Sequence, residues 1–277
     1  MIGLGNTVAS IESATIRASF TNSPARGGSV TFDGTDDYIN YGSLPTSVLD
    51  TLETKGTMAC WMHIDGDSGG SSFPFAIAKE TTDYLGLWWH NYYNEPRGSI
   101  KGNNVAKHAN PSTNAFGTGT NNGSSNYITA AGWYFMALSY NNVVDGEVVL
   151  YAENLSGELH PTTLSLGSSP AVIDLTGTEV WVGARKSGSG IASSFHGLVS
   201  YAAIWDTNLN EDSITALWNE GTPVDATKNT GNYLQSSNLV FFDNMQTGAG
   251  RISYTIVGAN NGTTANDAAW STASPTN

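Results

Sequence analysis

Hydrophobic and polar residues alternate over short stretches along most of this chain, a pattern typical of β-strands that bury one face. Turn-forming residues, mainly Gly, Ser, Thr and Asn, separate these stretches. Within residues 29–42, two apolar stretches flank a polar turn, which predicts a β-hairpin. The pattern predicts other strands at residues 57–64, 75–79, 84–89, 133–140, 147–151 and 179–183. We therefore expect an all-β, two-sheet antiparallel sandwich.

Residues 195–221 combine a buried strand with the one helix that the sequence predicts. Residues 198–205 are apolar or small at nearly every position, which indicates a strand covered on both faces. Asn210 is a favourable N-cap, and two acidic residues follow it, where the helix dipole favours negative charge. Gly221 ends the helical pattern. The prediction is one short helix near residues 210–220.

Motifs in several of these stretches occur together, and in the same order, in one known family. The stretch at 195–221 contributes Phe195, Gly197, Leu198, Ala202, Ile204, Trp205, Leu209 and Ile214. The stretch at 29–42 contributes Phe32, Asp33, Gly34, Asp37 and Tyr38, and the strands containing Trp61, Trp133 and Trp181 supply the rest. Residues 28–222 thus resemble a laminin G-like domain of the concanavalin A-like lectin/glucanase superfamily. The resemblance implies a jelly-roll sandwich, although His196 and Ser200 replace aspartates common in that family.

This resemblance divides the chain into three parts. Residues 1–27 form an N-terminal arm, either an extra strand of the same domain or an attachment arm. Residues 28–222 form the jelly roll. Residues 223–277 either pair back onto it as closing strands or serve as an appendage in assembly. We favour closing strands, because the apolar residues of this segment need a surface that buries them.

Charge and composition exclude several classes of partner. The chain has 277 residues and a net charge of −13, which disfavours nucleic acid and anionic membranes as ligands. No stretch is long and apolar enough to span a membrane, and the N-terminus lacks the pattern of a secretory signal. Cys60 is the only cysteine, so it forms no disulfide within the chain, and its strand-like surroundings predict a buried, inert thiol.

A dense group of aromatic and polar residues predicts a glycan-binding surface. It begins where a strand enters residues 90–126, which we interpret as one long loop. Aromatic rings stack on the C–H faces of sugars, while carboxylate, amide and guanidinium groups bind the hydroxyls. The alternative is that Trp88 and one tyrosine belong to the core while the others pack the loop down. The predicted glycan-binding residues are Trp89, His90, Asn91, Tyr92, Tyr93, Arg97 and Asp83.

Two groups of aspartates predict a calcium site. Asp33, Asp36 and Asp37 share one turn, and Asp65 and Asp67 precede a Gly-rich loop with oxygens at alternating positions. The alternative in both places is that aspartate caps a turn. The resemblance also implies calcium near the ends of loops.

The sequence does not support catalysis. Retaining glucanases of this superfamily place acids at alternating positions along one strand, and no Glu-x-Asp occurs here.

We predict a non-enzymatic recognition protein that binds cell-surface glycans. An extracellular type of fold without a secretory signal favours the surface of a virion, particularly of a phage, as a decoration or adhesion component. Its partners there would be other virion proteins or its own copies. The alternatives are a free, extracellular, calcium-dependent carbohydrate-binding module and, third, a glycoside hydrolase.

Overall fold

Nineteen antiparallel strands make up most of the described part of the protein. The computed structural model describes residues 28–64, 71–79, 83–90, 94–102, 105–109, 128, 130–141, 146–154, 157–165, 173–246, 248–249, 252–253, 255–258, 260–265, 268–271 and 273–275. The strands are β1 (Ser29–Asp33), β2 (Tyr38–Asn40), β3 (Lys55–Ile64), β4 (Ser72–Ala78), β5 (Tyr84–His90), β6 (Glu95–Gly102), β7 (Val105–Ala109), β8 (Gly132–Asn141), β9 (Glu147–Glu153), β10 (Leu159–Ser165), β11 (Glu179–Val182), β12 (Arg185–Ser187), β13 (Gly190–Ala192), β14 (His196–Trp205), β15 (Leu239–Asp243), β16 (Gly248–Ala249), β17 (Ile252–Ser253), β18 (Gly262–Ala265) and β19 (Ala269–Ser271). The helices are α1 (Thr46–Leu52) and α2 (Glu211–Trp218).

Two large sheets form the sandwich. The eight-stranded sheet has the order β10-β9-β8-β3-β14-β1-β19, with β15 also paired to β14, and the nine-stranded sheet has the order β16-β17-β18-β2-β11-β4-β5-β6-β7. Strands β12 and β13 form a separate hairpin. The predicted all-β antiparallel sandwich is confirmed.

The main core lies between the sheets, because the apolar sets of their facing strands point toward each other. Fully buried side chains from the eight-stranded sheet, such as Phe32 and Leu138, belong to the same cluster as Phe75, Leu87 and Trp89 of the nine-stranded sheet. Burial of such large side chains supplies about 1.5–3 kcal/mol each and is the main force holding the sheets together.

Strands β1 and β2 correct the predicted hairpin at residues 29–42. They belong to different sheets, so the turn between them crosses the edge of the sandwich instead of joining neighbouring strands. Phe32 and Ile39 both enter the main core, one from each side. The spacing of apolar residues correctly predicted which side chains are buried. It contains no information on which strands β1 and β2 pair with.

The strand–helix unit at residues 195–221 forms as predicted. Strand β14 is buried at nine of its ten positions, between β3, β1 and β15. Asn210 caps α2 by accepting a hydrogen bond from the backbone N–H of Ser213 at 3.0 Å. Ile214 and Leu217 pack with Trp205 and Tyr233 in a second cluster on the outer face of the eight-stranded sheet. Helix α1 was not predicted; it buries Leu49 and Leu52 against the main core.

The C-terminal segment contributes strands to both sheets. Strand β15 pairs with β14, β18 with β2, and β19 with β1.

The predicted N-terminal arm, residues 1–27, lies outside the described residues. Cys60 of β3 is fully buried, and burial raises the pKa of its thiol. No helix among the described residues has the length and apolar character needed to cross a membrane.

Candidate functional site

Strand β5 displays two different sets of side chains, because successive residues of a strand face opposite sides of the sheet. Leu85, Leu87 and Trp89 enter the main core. Trp88 belongs to the other set, and it is only half-buried on the outer face of the nine-stranded sheet. This outer face is the candidate site.

The position of Trp89 corrects its predicted contact with a glycan. Its exposed fraction is 0%, and it packs among the residues between the sheets. Trp88, a core residue in the alternative interpretation of the sequence, lies on the outer face instead. Asp83, just before β5, is also buried, with 8% of its surface exposed. Neither Trp89 nor Asp83 can therefore form the exposed part of a binding surface.

The region interpreted as a long loop contains strands β6 and β7, and these complete the site. Arg97 of β6 lies directly opposite Trp88, and Lys101 lies opposite Tyr84. His108 of β7 lies opposite Ser99 of β6. The residues of β6 and β7 are mainly polar or small, so their apolar periodicity is weak. They are strands because β6 pairs with β5 and β7 pairs with β6, which satisfies their backbone groups.

Three aromatic rings of β4 and β5 form a continuous layer on this face. The rings of Trp88 and Phe73 are stacked, with centroids 6.0 Å apart and planes inclined by 9°. Tyr84 meets Phe73 edge to face at 5.4 Å. A Cβ at Gly86 would be only 2.6 Å from the Phe73 ring, so any larger residue there would clash with the ring.

Cationic side chains contact this aromatic layer. The Arg97 guanidinium carbon lies 5.2 Å from the Trp88 ring centroid. Arg185, carried by the β12–β13 hairpin, lies 5.3 Å from the Phe73 ring and 4.9 Å from the Tyr84 ring. The Lys101 ammonium lies 6.0 Å from Tyr84. These distances are typical of cation–π contacts. We call Trp88, Phe73, Tyr84, Arg97, Arg185 and Lys101 the aromatic–cation strip.

Ion pairs hold two cations of this face in place. Arg97 donates to the buried carboxylate of Glu95 on the same strand. Burial raises the pKa of Glu95, while the charge and hydrogen bond of Arg97 oppose that rise. Lys186 donates to Glu179 of β11 at 2.8 Å. Glu95 and Glu179 are thus engaged in positioning cations.

Two histidines flank Trp88. The His90 and His108 rings lie 5.1 Å and 5.0 Å from it, and His108 Nδ1 is 2.7 Å from Ser99 Oγ. Burial, reinforced by the charge of Arg97, lowers the pKa of His90. Burial and the charges of Arg97, His90 and Lys101 lower the pKa of His108 to about 4. Both imidazoles are therefore neutral at pH 7.

Of the residues predicted to bind a glycan, the structure brings His90 and Arg97 together beside Trp88. Asn91, Tyr92 and Tyr93 lie outside the described residues. Trp88 belongs to the same aromatic run but was not among the predicted glycan-binding residues, although Leu85, Leu87 and Trp89 occupy alternate positions of the strand and Trp88 lies between them. The prediction also lacked Tyr84 of the same strand and three residues that come from other strands: Phe73, His108 and Arg185.

The aspartates at the β1–β2 turn form a separate cluster. Carboxylate oxygens of Asp33, Asp36 and Asp37 lie within 4.8 Å of one another, a spacing that ligands of one Ca²⁺ can adopt. Asp33 Oδ1 accepts from the Thr35 N–H at 2.7 Å, and Asp37 Oδ2 accepts from the Asp33 N–H at 2.9 Å. The donor set fits calcium, and the same bonds also cap the turn. Asp65 and Asp67 lie outside the described residues.

Comparisons with known proteins identify similar folds. The sequence matches no family model and no curated protein. A Bacteroides ovatus protein whose proposed role is carbohydrate binding has a TM-score of 0.54 and 15% identity, over 89% of this chain and 60% of that one. The CBM40 of the Ruminococcus gnavus IT-sialidase gives 0.49 and 13%, over 68% and 96%. A SAP-like pentraxin from Limulus polyphemus gives 0.46 and 14%, over 70% and 83%. These likenesses concern the fold.

Proposed function

We propose that this protein is a non-catalytic carbohydrate-binding module, and that its glycan lies on the outer face of the nine-stranded sheet. The observation that carries the proposal is the aromatic–cation strip around the half-buried Trp88. The fold of the Bacteroides ovatus protein, whose proposed role is carbohydrate binding, also supports it.

The chemistry of the strip suits saccharides. A tryptophan ring offers an apolar surface to sugar C–H groups, while neighbouring guanidinium and imidazole groups bind hydroxyl oxygens. Trp88 has such neighbours in Arg97 and His90. Side chains already held in place by their neighbours on the sheet also lose little conformational entropy on binding.

A binding role is favoured over hydrolysis by the state of the acids on this face. Hydrolysis needs two carboxyl groups on either side of one glycosidic bond. Glu95 is buried and paired with Arg97, and Glu179 is paired with Lys186. Both carboxylates therefore support cations that face a ligand.

The test is a printed glycan array probed with the wild-type protein and with Trp88→Ala. We expect Trp88→Ala to abolish retention on the glycans that wild type binds. Trp218→Ala is the matched control, because Trp218 is a half-buried tryptophan on α2, which covers the other sheet. Retention that survives Trp88→Ala, or that Trp218→Ala removes equally, would contradict the proposal.

The location of the module and its protein partners remain predictions from the sequence. Display on a virion surface, with other virion proteins or its own copies as partners, predicts a discrete oligomer or co-purification with shell proteins. A free extracellular module predicts a monomer. Light scattering after gel filtration, with calcium and with chelator, separates the two.

A further inference from the structure

We propose that a groove on the side of the sandwich opposite the aromatic–cation strip is a second saccharide site, which takes one neutral sugar residue. The groove lies between helix α2 and the turn at residues 230–233, and both of these pack over the outer face of the eight-stranded sheet. Its volume is about 310 Å³, at the small end of the roughly 300–1,000 Å³ of ligand pockets. The inference goes beyond the proposed function, because this site shares no residue with the strip.

The first wall of the groove is a stripe of α2 and its C-cap, formed by Asp212, Thr215, Ala216 and Asn219. Residues three or four apart lie on the same side of a helix, and this spacing holds throughout the stripe. The stripe of Ile214 and Leu217 is buried against the sheet. The first wall therefore lies on a different side of α2, where its three polar side chains are exposed.

The second wall is the tight turn that follows α2 in the chain. Thr230 and Tyr233 exchange two backbone hydrogen bonds of 2.9 Å, which close the turn and leave Gly231 and Asn232 at its tip. Tyr233 is fully buried in the cluster beneath α2 and anchors the turn there. The two walls approach each other at Gly231, where an added Cβ would lie 3.9 Å from the Cβ of Ala216. The groove is therefore preformed.

The polar side chains of the groove have open hydrogen-bonding capacity. Among the described residues, four of them have side chains without a hydrogen-bond partner: Asp212, Thr215, Thr230 and Asn232. Asn219 donates from Nδ2 to the Thr222 carbonyl at 3.2 Å, which leaves its Oδ1 atom to accept. A ligand thus meets a carboxylate, hydroxyls and amide groups that are exposed to solvent.

This mixture of donors and acceptors matches the hydroxyl groups of a sugar. A sugar hydroxyl both donates and accepts, as a threonine hydroxyl does, and an asparagine amide does each through a different atom. A carboxylate only accepts, and its two oxygens can take donors from neighbouring hydroxyls. Of the described residues that line the groove, Asp212 alone is charged, so an anionic ligand would be repelled with no cation to offset the repulsion. The ligand class is therefore a neutral saccharide.

Sites on both outer faces give the module two points of attachment. The strip lies on the nine-stranded sheet, and the groove lies over the eight-stranded sheet, so two sugar chains can be held at once. A groove that takes a single sugar residue buries little surface, and we expect a Kd of about 1 mM or weaker. Binding this weak is lost when a glycan array is washed, so retention on an array reports the strip alone.

The test is an NMR titration of the isotope-labelled full chain with methyl glycosides of glucose, galactose and mannose. Amide resonances of residues 212–219 and 230–232 should shift and saturate, in wild type and equally in Trp88→Ala. Methyl glucuronide replaces the primary alcohol of the glucoside with a carboxylate. It should bind about fivefold more weakly than the glucoside, because Asp212 repels it.

Two variants remove groups from opposite walls. Asp212→Ala and Asn232→Ala should each weaken binding of the tightest glycoside at least about fivefold, the effect of one lost hydrogen bond. Glu211→Ala is the matched control, because Glu211 is the exposed acid beside Asp212 in the first turn of α2 and does not line the groove. Its Kd should stay within about twofold of wild type. Thermal unfolding of each variant shows that it is folded.

The outcomes separate this site from the strip. Shifts that Asp212→Ala leaves unchanged, or that Glu211→Ala weakens equally, would overturn the groove as a saccharide site. So would an absence of shifts with every glycoside, or shifts caused by calcium and by no sugar. Trp88-dependent retention on the array would still support the proposed function in those cases. Saturable shifts at the groove without any retention on the array would contradict the proposed function and leave this site standing.

Discussion

Trp88 and Trp89 are adjacent in the sequence but lie on opposite faces of the nine-stranded sheet, one half-buried on the outer face and one fully enclosed in the core. Truncation should therefore affect them differently. We expect Trp89→Ala to lower the free energy of unfolding by about 3–5 kcal/mol, because it leaves a cavity between the sheets. Trp88→Ala should cost less than about 2 kcal/mol. Urea unfolding measures both, and equal losses would contradict the assignment of faces.

Tyr233 joins the segment after α2 to the outer face of the eight-stranded sheet. Its hydroxyl accepts a hydrogen bond from Trp205 Nε1 at 2.7 Å and donates to the Ala226 carbonyl at 2.8 Å. Tyr233→Phe would leave the buried Trp205 N–H without this acceptor, at a cost of about 1–3 kcal/mol in unfolding free energy. Tyr38→Phe, at a half-buried tyrosine of the other sheet, is the control and should change stability by less than about 0.5 kcal/mol.

His108 should make the protein less stable in acid. Its pKa is lowered from 6.5 to about 4 in the folded state, so between these values the unfolded chain holds a proton that the folded protein lacks. Stability therefore falls as the pH drops from 6.5 toward 4, and this contribution levels off below that.

The His108→Gln variant isolates this effect from other titrating groups. We expect the melting temperature of wild type to fall more between pH 7 and pH 4.5 than that of the variant. Glu95, whose pKa burial raises, acts in the opposite direction in both proteins and cancels in the comparison. Parallel pH profiles would show that His108 does not contribute.

The β1–β2 turn should respond to calcium if its aspartates hold the ion. Binding to the folded state alone raises the melting temperature, so millimolar calcium should stabilise wild type and chelator should reverse the gain. Asp36→Asn, at an exposed member of the cluster, should remove most of that response. Asp50→Asn, at an exposed position on α1, should leave it intact. A response that Asp36→Asn preserves would place the ion elsewhere.

Much of the fold could be predicted from the sequence, because local patterns determine which residues are buried. The uninterrupted apolar run of β14 and the Asn210 cap of α2 each depend on neighbours within a few residues, and both predictions are confirmed. The strands around residues 95–109 were missed because Gly, Ser, Pro and His give little apolar periodicity. Their strand form depends on pairing between segments, β6 with β5 and β7 with β6.

Less of the candidate site could be predicted from the sequence. Arg97 and His90 are close to Trp88 in the sequence, and the predicted aromatic surface included both. Arg185 is almost a hundred residues further along, and it reaches Tyr84 only because the β12–β13 hairpin extends from β11, which pairs with β4. Such a contact follows from the order of strands in the sheet, and periodicity along the chain does not encode that order.

The burial of Cys60 makes the protein a reporter of its own unfolding. This thiol is the only one in the chain, it is fully enclosed on β3, and burial raises its pKa. A maleimide or disulfide reagent has a single target, and it can react only when the strands around β3 separate. Labelling rates in the presence and absence of a saccharide would then show how strongly a ligand on the distant sheet surface holds the two sheets closed.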